Sequence, residues 1–318
     1  MKKILAILTT LLLVFTMFSC ETNDNEPPVL PPGGGNETDG GIQTVFYDGP
    51  DPTTQTAKLT GGTTFIGNSS NNGGNKSLSG SPYGYEIWSG SPSDDAKLIW
   101  YGKDQGGGAA FRAEWKNNGN YLGRIGYFWN EGKPYTSYGN LFCAFNFTVD
   151  GTYGGWSYIG IYGWAKNSSI TTANDLVEYY IVDSSHTGYS FPFVPACSRW
   201  SDKESGGSVT CTVCNGTGNS IYKGEFTVDG AVYKIYTALR PADAGAIVTP
   251  SSSGFIQYFS VRQSRRSAGV ISITEHFKKW DELGMKLGNN MYEAKFKVEV
   301  GGGTGSFDST FLTFQQKD

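Results

Sequence analysis

A carboxylate stands in the middle of an apolar, strand-like segment whose other residues are largely aromatic and aliphatic. By the two-residue alternation of a strand, Glu178 in Leu176–Val182 points the same way as Leu176, Tyr180 and Val182. Charged groups are costly to bury, and strand interiors favour β-branched and aromatic residues. One interpretation is therefore an exposed glutamate on the outer face of a sheet. The other is a tyrosine-lined cleft in which the carboxylate meets a sugar.

The segment just before it repeats this aromatic pattern. Tyr158, Gly160, Tyr162 and Trp164 alternate with small and aliphatic residues, so they share one face of a predicted strand. Two adjacent strands with tyrosines on one face would line a cleft rather than a dry core. This favours the second interpretation of Glu178.

The elements that must position these residues are predicted to be strands almost throughout. From about Thr44 onward, short β-type runs are separated by Gly, Asn, Asp and Pro. These runs do not alternate with helical segments, so a parallel sheet is not predicted. One helix is predicted over Thr274 to Gly284, with Thr274 as its cap and Gly284 at its end. The sequence therefore predicts an all-β fold, a jelly-roll sandwich of two curved antiparallel sheets with one α-helix.

Four stretches of the sequence resemble the family 11 glycoside hydrolases, which are small jelly-roll endo-β-1,4-xylanases. They are YIGIYGW from Tyr158, LVEYYIVD from Leu176, QYFSVRQSR from Gln257 and HFKKWDELGM from His276. The resemblance extends over about residues 83–314, and the four stretches together are more specific than any one alone. It implies a retaining endo-1,4-β-xylanase that acts through a glycosyl-enzyme intermediate, with no metal or organic cofactor.

The resemblance also assigns the two catalytic carboxyl groups. Glu178 falls at the nucleophile and Glu299 at the acid/base. Alternation puts Glu293, Lys295, Lys297 and Glu299 on one face of their strand, so the choice of Glu299 over Glu293 depends on the resemblance. In retaining glycosidases the two carboxyl groups lie roughly 5–5.5 Å apart, and one attacks the anomeric carbon while the other acts as acid and then as base.

Further residues are implied to bind the substrate. They are Trp88, Asn120, Tyr158, Tyr162, Tyr180, Gln257 and Arg262. Trp88 would stack on a sugar face, although a tryptophan in this pattern also suits a core. Asn120 falls beside the acid/base, at a position where asparagine goes with a near-neutral pH optimum, although its surroundings also read as a turn. Arg262 falls at an arginine that would lie near the nucleophile and help to keep it ionised.

Two other functions remain open at this point. One is a non-catalytic surface glycan-binding jelly roll, which would use the same aromatic face. It stays open because a fold alone does not decide function. A β-glucan-active relative would use the same two carboxyl groups. The pair of glutamates favours an enzyme, and the expected partners are xylan and xylo-oligosaccharides bound by a monomer. The net charge of −4 gives no indication of nucleic-acid binding.

The N-terminus resembles an export signal. Two lysines precede the apolar run Ile4–Phe18, which is too short for a comfortable membrane span, and Ser19-Cys20 follows it. A small residue before cysteine resembles a bacterial lipoprotein signal, in which Cys20 would be lipidated and would anchor the protein to a membrane surface. A plain secretory signal is the alternative, and both interpretations predict export.

The chain is predicted to have three parts. Residues 1–20 form a lipoprotein-type signal peptide, residues 21–43 a disordered linker rich in proline, glycine and acids, and residues 44–318 the xylanase-like jelly-roll domain.

Four cysteines lie outside the signal: Cys143, Cys197, Cys211 and Cys214. Because export is expected, disulfides are predicted, and the C-x-x-C spacing of the last two leaves metal binding open. Leu239–Ser253 falls at the thumb loop of the family but lacks its Pro-Ser-Ile tip. Thumb contacts therefore do not carry over to this chain.

Overall fold

The computed structural model describes residues 46–116, 119–152, 156–186, 209–210, 217–218, 220–240, 247 and 254–318. The predicted signal peptide and linker lie outside this part of the chain, as do Cys197, Cys211, Cys214 and most of the thumb segment. In the described part, no helix has the length and apolar character needed to cross a membrane.

Runs of alternating aromatic and β-branched residues form the strands, as their propensities favour. In the described ranges the first nine are β1 (Thr63–Ile66), β2 (Lys76–Ser77), β3 (Gly84–Ser89), β4 (Lys97–Trp100), β5 (Phe111–Lys116), β6 (Tyr121–Phe128), β7 (Asn140–Gly151), β8 (Ser157–Lys166) and β9 (Leu176–Ser184). The others are β10 (Val209–Thr210), β11 (Thr217–Gly218), β12 (Ser220–Val228), β13 (Ala231–Arg240), β14 (Phe255–Arg262), β15 (Ala268–Ser272), β16 (Asn290–Met291), β17 (Glu293–Val300) and β18 (Thr304–Lys317). The helix α1 spans Ile273–Glu282, and short 3₁₀ turns span Pro52–Thr54, Tyr135–Tyr138 and Ala173–Asp175.

The strands form two large sheets. In the smaller sheet the order is β1-β4-β5-β18-β7-β15. In the larger, which we call the cleft sheet, the order is β12-β13-β14-β9-β8-β17-β6-β3-β2, with β16 paired to β8; β10 and β11 pair with each other. Strands from distant parts of the chain are therefore neighbours, and β9, which carries Glu178, is separated from β17, which carries Glu299, by β8 alone.

The predicted all-β sandwich with one α-helix is confirmed, with one difference in strand direction. β14 runs parallel to β9, in a register from Ile256 opposite Val177 to Val261 opposite Val182, whereas the other pairs that the structure describes are antiparallel. Parallel neighbours need a crossover connection. Here the β12–β13 hairpin lies between β9 and β14 in sequence but outside β14 in the sheet.

The core lies between the two sheets, and a second apolar cluster covers the other face of the cleft sheet. Phe296 on β17 packs against Phe145 and Phe307 of the smaller sheet, with ring centroids 5.1 and 6.0 Å apart. Tyr162 and Tyr180 belong to the second cluster. β8 and β9 are buried along nearly their whole length, so both faces of these strands are covered. Each large apolar side chain buried in this way contributes about 1.5–3 kcal/mol.

The helix packs on the core face of the cleft sheet. Phe277 contacts Tyr179 at 5.2 Å between ring centroids, and Gly284, with φ of +75°, ends the helix in the left-handed conformation that glycine favours. The predicted capping by Thr274 is wrong. Ser272 is the N-cap, and Thr274 Oγ1 instead donates to Gly139 O (3.1 Å) and accepts from Leu141 N (2.8 Å), which ties the helix to β7.

Cys143 is a free thiol within the core, so the disulfides predicted among the four cysteines do not include it. It lies on β7 opposite Phe314, and it is fully buried among the side chains between the sheets. Burial raises the pKa of the Cys143 thiol well above its usual value, which keeps the thiol protonated and unreactive.

Candidate active site

The Glu178 carboxylate is held from both sides by the neighbouring strands. The Tyr162 hydroxyl on β8 donates to Oε1 at 2.6 Å, and Gln257 Nε2 on β14 donates to Oε2 at 2.6 Å. Gln257 lies directly opposite Glu178 in the parallel β9–β14 pair. Trp164 Nε1 in turn donates to the Tyr162 hydroxyl at 2.7 Å. Both oxygens of a nearly buried carboxylate are therefore fixed by named donors.

Glu299 reaches the same side of the cleft sheet from β17. Its backbone lies between Leu122 on β6 and Tyr158 on β8 in the strand register, and the residue is 9% exposed. Its Oε2 accepts a hydrogen bond from the ammonium of Lys297, which points to the same face two residues earlier. Glu299 is therefore a nearly buried carboxylate with an immediate counter-charge.

Glu178 and Glu299 line the same cavity, so the fold brings the two carboxylates together, and their charges raise the pKa of the same two tyrosines. Burial raises the pKa of Tyr180 well above its usual value, and the charges of Glu178 and Glu299 raise it further. The same three causes act on Tyr158, in the order burial, Glu299 and Glu178, with Arg240 opposing them. The sheet thus assembles residues from β8, β9 and β17 around one point.

A cavity of about 510 Å³ opens over this point. Its described lining is Gly73, Gly74, Asn75, Glu86, Trp88, Asn120, Leu122, Arg124, Tyr162, Trp164, Glu178, Tyr180, Arg240, Ile247, Gln257, Tyr292, Glu293 and Glu299. Trp88 is 36% exposed here, which is unusual for so large an apolar side chain in a sheet. Asn120 Oδ1 is buried and has no hydrogen-bond partner among the residues that the structure describes. Trp88 and Asn120 therefore offer an aromatic face and a free acceptor inside the cavity.

Most of the residues predicted to form the site line this cavity. Of the predicted set, Glu178, Glu299, Trp88, Asn120, Tyr162, Tyr180 and Gln257 do so. Tyr158 lies just beneath, 5% exposed, with its ring centroid 5.7 Å from that of Tyr180.

The prediction that Arg262 lies beside the nucleophile is wrong. On β14 the side chains of Gln257, Phe259 and Val261 face the cleft, so Arg262 faces the opposite side. Its Nη1 donates to Asp229 O at 3.3 Å, and its guanidinium lies 5.7 Å from the ring centroid of Tyr233. The sequence resemblance located this arginine on the correct strand, but the two-residue alternation puts it on the far face.

A row of buried charges lines the cleft beyond the two glutamates, and the sequence analysis predicted no role for it. Arg124 on β6 pairs with Glu86 on β3 and, at 2.7 Å, with Glu293 on β17. Lys295 Nζ lies 2.8 Å from Glu293 and donates to Asn75 Oδ1 at 2.6 Å. The signal was present in the sequence, because alternate residues of this strand are all charged while those between them are apolar.

The comparisons with known proteins agree with this geometry. A family model described as glycosyl hydrolases family 11 matches residues 209–310. The chain is similar to endo-1,4-beta-xylanase C of Fibrobacter succinogenes, with 40% identity over 240 residues that cover 74% of this chain and 32% of that protein. It is also similar to endo-1,4-beta-xylanase A of Bacillus pumilus, with 34% identity over 229 residues that cover 71% of this chain and 78% of that protein.

Among solved structures, the chain is similar to the wild-type ENZbleach xylanase. The two share 47% sequence identity with a TM-score of 0.70, over 85% of this chain and 93% of that one. This chain spans about a third of the length of the Fibrobacter relative.

Proposed function

Because the chain belongs to glycosyl hydrolase family 11, we propose that it is an endo-1,4-β-xylanase. It hydrolyses internal β-1,4-xylosidic bonds of xylan with retention of anomeric configuration. The names of the relatives support xylan as the substrate. The observation that carries the proposal is the Glu178 carboxylate, held at both oxygens by Tyr162 and Gln257 in a cavity that Glu299 also lines.

Glu178 acts as the nucleophile in the first half-reaction. One of its oxygens bonds to the anomeric carbon as the glycosidic bond breaks, and Glu299 gives its proton to the leaving oxygen. The hydrogen bonds from Tyr162 and Gln257 support this role, because they fix the carboxylate before the substrate binds and so reduce the entropy lost at the transition state.

Glu299 acts as base in the second half-reaction. It takes a proton from water, whose oxygen bonds to the anomeric carbon while the bond to Glu178 breaks. Glu293 lies on the same face but fits this role less well. Its two oxygens are engaged by Arg124 and Lys295, and it is 1% exposed, whereas Glu299 has a single cationic partner among the described residues.

Trp88 and Asn120 contribute to substrate binding. The exposed indole of Trp88 offers a flat platform for the apolar face of a xylose ring. The buried Oδ1 of Asn120 would accept a hydrogen bond from a sugar hydroxyl or from the protonated acid/base, which supports the expected near-neutral pH optimum.

The test is hydrolysis of soluble xylan by the full chain, with the anomer of the first product followed by NMR and with carboxymethylcellulose as the parallel substrate. We expect xylo-oligosaccharides whose new reducing ends are initially in the β form. Binding of xylan without any product would favour the glycan-binding alternative, and preferential cleavage of the glucan would favour the β-glucan-active alternative. Initial α products would contradict retention.

Export and anchoring are proposed from the first residues of the chain. Secretion fits an enzyme acting on a polymer outside the cell, and Cys20 is the residue that would carry the lipid. Residues 21–43 would then hold a monomeric domain, residues 44–318, away from the membrane surface. Cys20→Ala should release the protein from the membrane fraction of its host. If the fractionation does not change, the plain secretory signal is the correct interpretation.

A further inference from the structure

We propose that Lys297 is a positioning residue for the two carboxyl groups, and that its ammonium sets the pH range in which the pair works. It holds Glu299 directly and provides a counter-charge to Glu178. The inference rests on the proposed function, because it assigns Lys297 a part in the same two half-reactions.

The side chain of Lys297 reaches across the cleft sheet toward the nucleophile. Its backbone lies on β17 opposite Gly160 of β8. The ammonium donates to Glu299 Oε2 and lies 4.0 Å from the ring centroids of both Tyr162 and Tyr180. Tyr162 is itself bonded to Glu178, so a single ring separates the ammonium from the nucleophile.

Lys297 is 1% exposed, and the net effect of its surroundings is to lower the pKa of its ammonium. Its charged form is supported by the direct contact with the Glu299 carboxylate. Burial lowers the pKa of the ammonium, and Glu299 and Glu178 act in the opposite direction. The two tyrosine rings present their faces to the cation, and such contacts are attractive when desolvated. Several described charged or titratable groups face Lys297 and Glu299. They are Glu86 on β3, Arg124 on β6, Tyr158 and Tyr162 on β8, Glu178 and Tyr180 on β9, Arg240 on β13, and Glu293 on β17.

A cation at this place has opposite effects on the two half-reactions. In the first, Glu299 must carry a proton, and a neighbouring ammonium favours loss of that proton. In the second, Glu178 is esterified and uncharged, Glu299 must be ionised to accept a proton from water, and the ammonium favours that state. Lys297 therefore shifts the working range to lower pH and helps the breakdown of the glycosyl-enzyme.

The strand supplies a matched control in Lys295. It lies on the same face of β17 and is fully buried, but its ammonium is bound by Glu293 and Asn75 instead of Glu299. Loss of Lys295 removes a buried cation at similar depth without removing the partner of Glu299. A difference between the effects of Lys297→Met and Lys295→Met is therefore due to the contact with Glu299 and not to the loss of a buried charge in general.

The experiment is the pH profile of kcat/KM on a xylo-oligosaccharide for the wild type, Lys297→Met, Lys297→Arg and Lys295→Met. In Lys297→Met we expect the basic limb to move to higher pH by about one unit, because Glu299 loses a cation in direct contact. The acidic limb should move in the same direction by less, because Glu178 loses a cation that lies across the Tyr162 ring. Lys297→Arg should restore most of the profile, and Lys295→Met should leave the limbs in place. An aryl xylobioside should give a burst with Lys297→Met, and mass spectrometry should detect accumulated glycosyl-enzyme.

Several results would overturn the proposal. An active Lys297→Met with the wild-type profile and no burst would do so, as would an equal shift in Lys295→Met. If Lys297→Met does not fold, Lys297→Gln takes its place, with the same expectation. If the wild type does not hydrolyse xylan, the proposed function fails by itself, and NMR titration of the Glu299 carboxyl in the wild type and Lys297→Met then tests the contact without substrate. An unchanged midpoint in that titration would refute the role of Lys297.

Discussion

The two faces of β17 are almost equally buried but chemically opposite. The face toward the smaller sheet carries Ala294, Phe296, Val298 and Val300, all fully buried. The face toward the cleft carries Glu293, Lys295, Lys297 and Glu299, of which the last is the most exposed, at 9%. A single strand thus separates an apolar core from a charged one.

The difference shows that burial has two different physical bases in this molecule. On the core face, apolar rings fill the space between the sheets and remove surface from water, which stabilises the fold. On the cleft face, each charge is compensated by a neighbour, as in the Lys295–Glu293 and Lys297–Glu299 pairs. The desolvation of such pairs offsets most of their attraction. We therefore expect substitutions on the core face mainly to lower the free energy of unfolding, and substitutions of the proposed catalytic residues on the cleft face mainly to lower activity.

The largest expected effect is loss of activity without loss of fold. Glu178→Gln keeps the shape of the side chain but cannot form the glycosyl ester, so kcat on xylan should fall by several orders of magnitude, as when one member of a catalytic unit is removed. The melting temperature should change by only a few degrees. Glu225→Gln, at an exposed position of β12, is the control and should leave activity unchanged. Activity of Glu178→Gln within about tenfold of the wild type would remove Glu178 as nucleophile.

The converse is expected on the core face. Phe296→Ala removes a fully buried ring that packs between Phe145 and Phe307, and it should lower the free energy of unfolding by about 3–5 kcal/mol. Urea unfolding measures this loss. Below the denaturation transition, the remaining folded protein should keep a near-wild-type kcat. A loss under about 1 kcal/mol would mean that this face is not the stabilising one.

A smaller and non-additive effect is expected within the charged row. Lys295→Met leaves Glu293 with Arg124 as its remaining described cation, so this single variant should be destabilised. Lys295→Met combined with Glu293→Gln removes both members of the pair and leaves neither charge uncompensated. A double-mutant cycle should give a coupling energy of about 0.5–3 kcal/mol, with the double variant more stable than the sum predicts. Strict additivity would show that the two charges do not compensate each other.

The smallest effect concerns a polar residue on the core side that lacks such compensation. His276 on α1 lies against Tyr233 and Phe226, with 4.6 and 5.1 Å between ring centroids, and its ring nitrogens have no hydrogen-bond partner among the described residues. Burial lowers the pKa of His276 to about 3, so the folded protein holds it neutral.

In the unfolded chain the pKa of His276 is near the ordinary histidine value of about 6.5, so the side chain binds a proton below that pH. The stability that His276 contributes is therefore fully present above that pH and is lost as the pH falls toward 3. His276→Leu should lose less melting temperature between pH 7 and pH 4 than the wild type does. Parallel losses in the two proteins would contradict the neutral, buried state of this histidine.

Much of the fold and of the site follows from alternation along single strands. The aromatic face of β8 and the position of Glu178 on β9 can be deduced from residues two apart, and the resemblance then identifies Glu299 as its counterpart. Alternation from Gln257 also predicts that Arg262 lies on the face of β14 away from the cleft. The resemblance of the strand to the family was given more weight than this pattern. The lesson is that similarity locates a strand, whereas the two-residue period decides which face a residue occupies.

What the sequence could not provide are contacts between strands that are far apart in the chain. Lys297 binds Glu299 on its own strand, but its place over Tyr162 and Tyr180 depends on the insertion of β17 beside β8. The parallel alignment of β14 with β9, which places Gln257 opposite Glu178, depends on a crossover that no local pattern specifies. From the sequence alone, the charged face of β17 would be predicted to be exposed to solvent, and only the positions of the neighbouring strands show that it is buried.

The late positions of β17 and β18 along the chain have a consequence for how the protein is made. Each comes after the other described strands of its sheet, yet each lies inside that sheet, β17 between β8 and β6 and β18 between β5 and β7. During synthesis from the N-terminus, both sheets therefore stay divided, with unpaired edges that invite association with other chains. The same late strand that closes the cleft sheet carries Glu299, so a nascent chain lacks the proposed acid/base until β17 emerges.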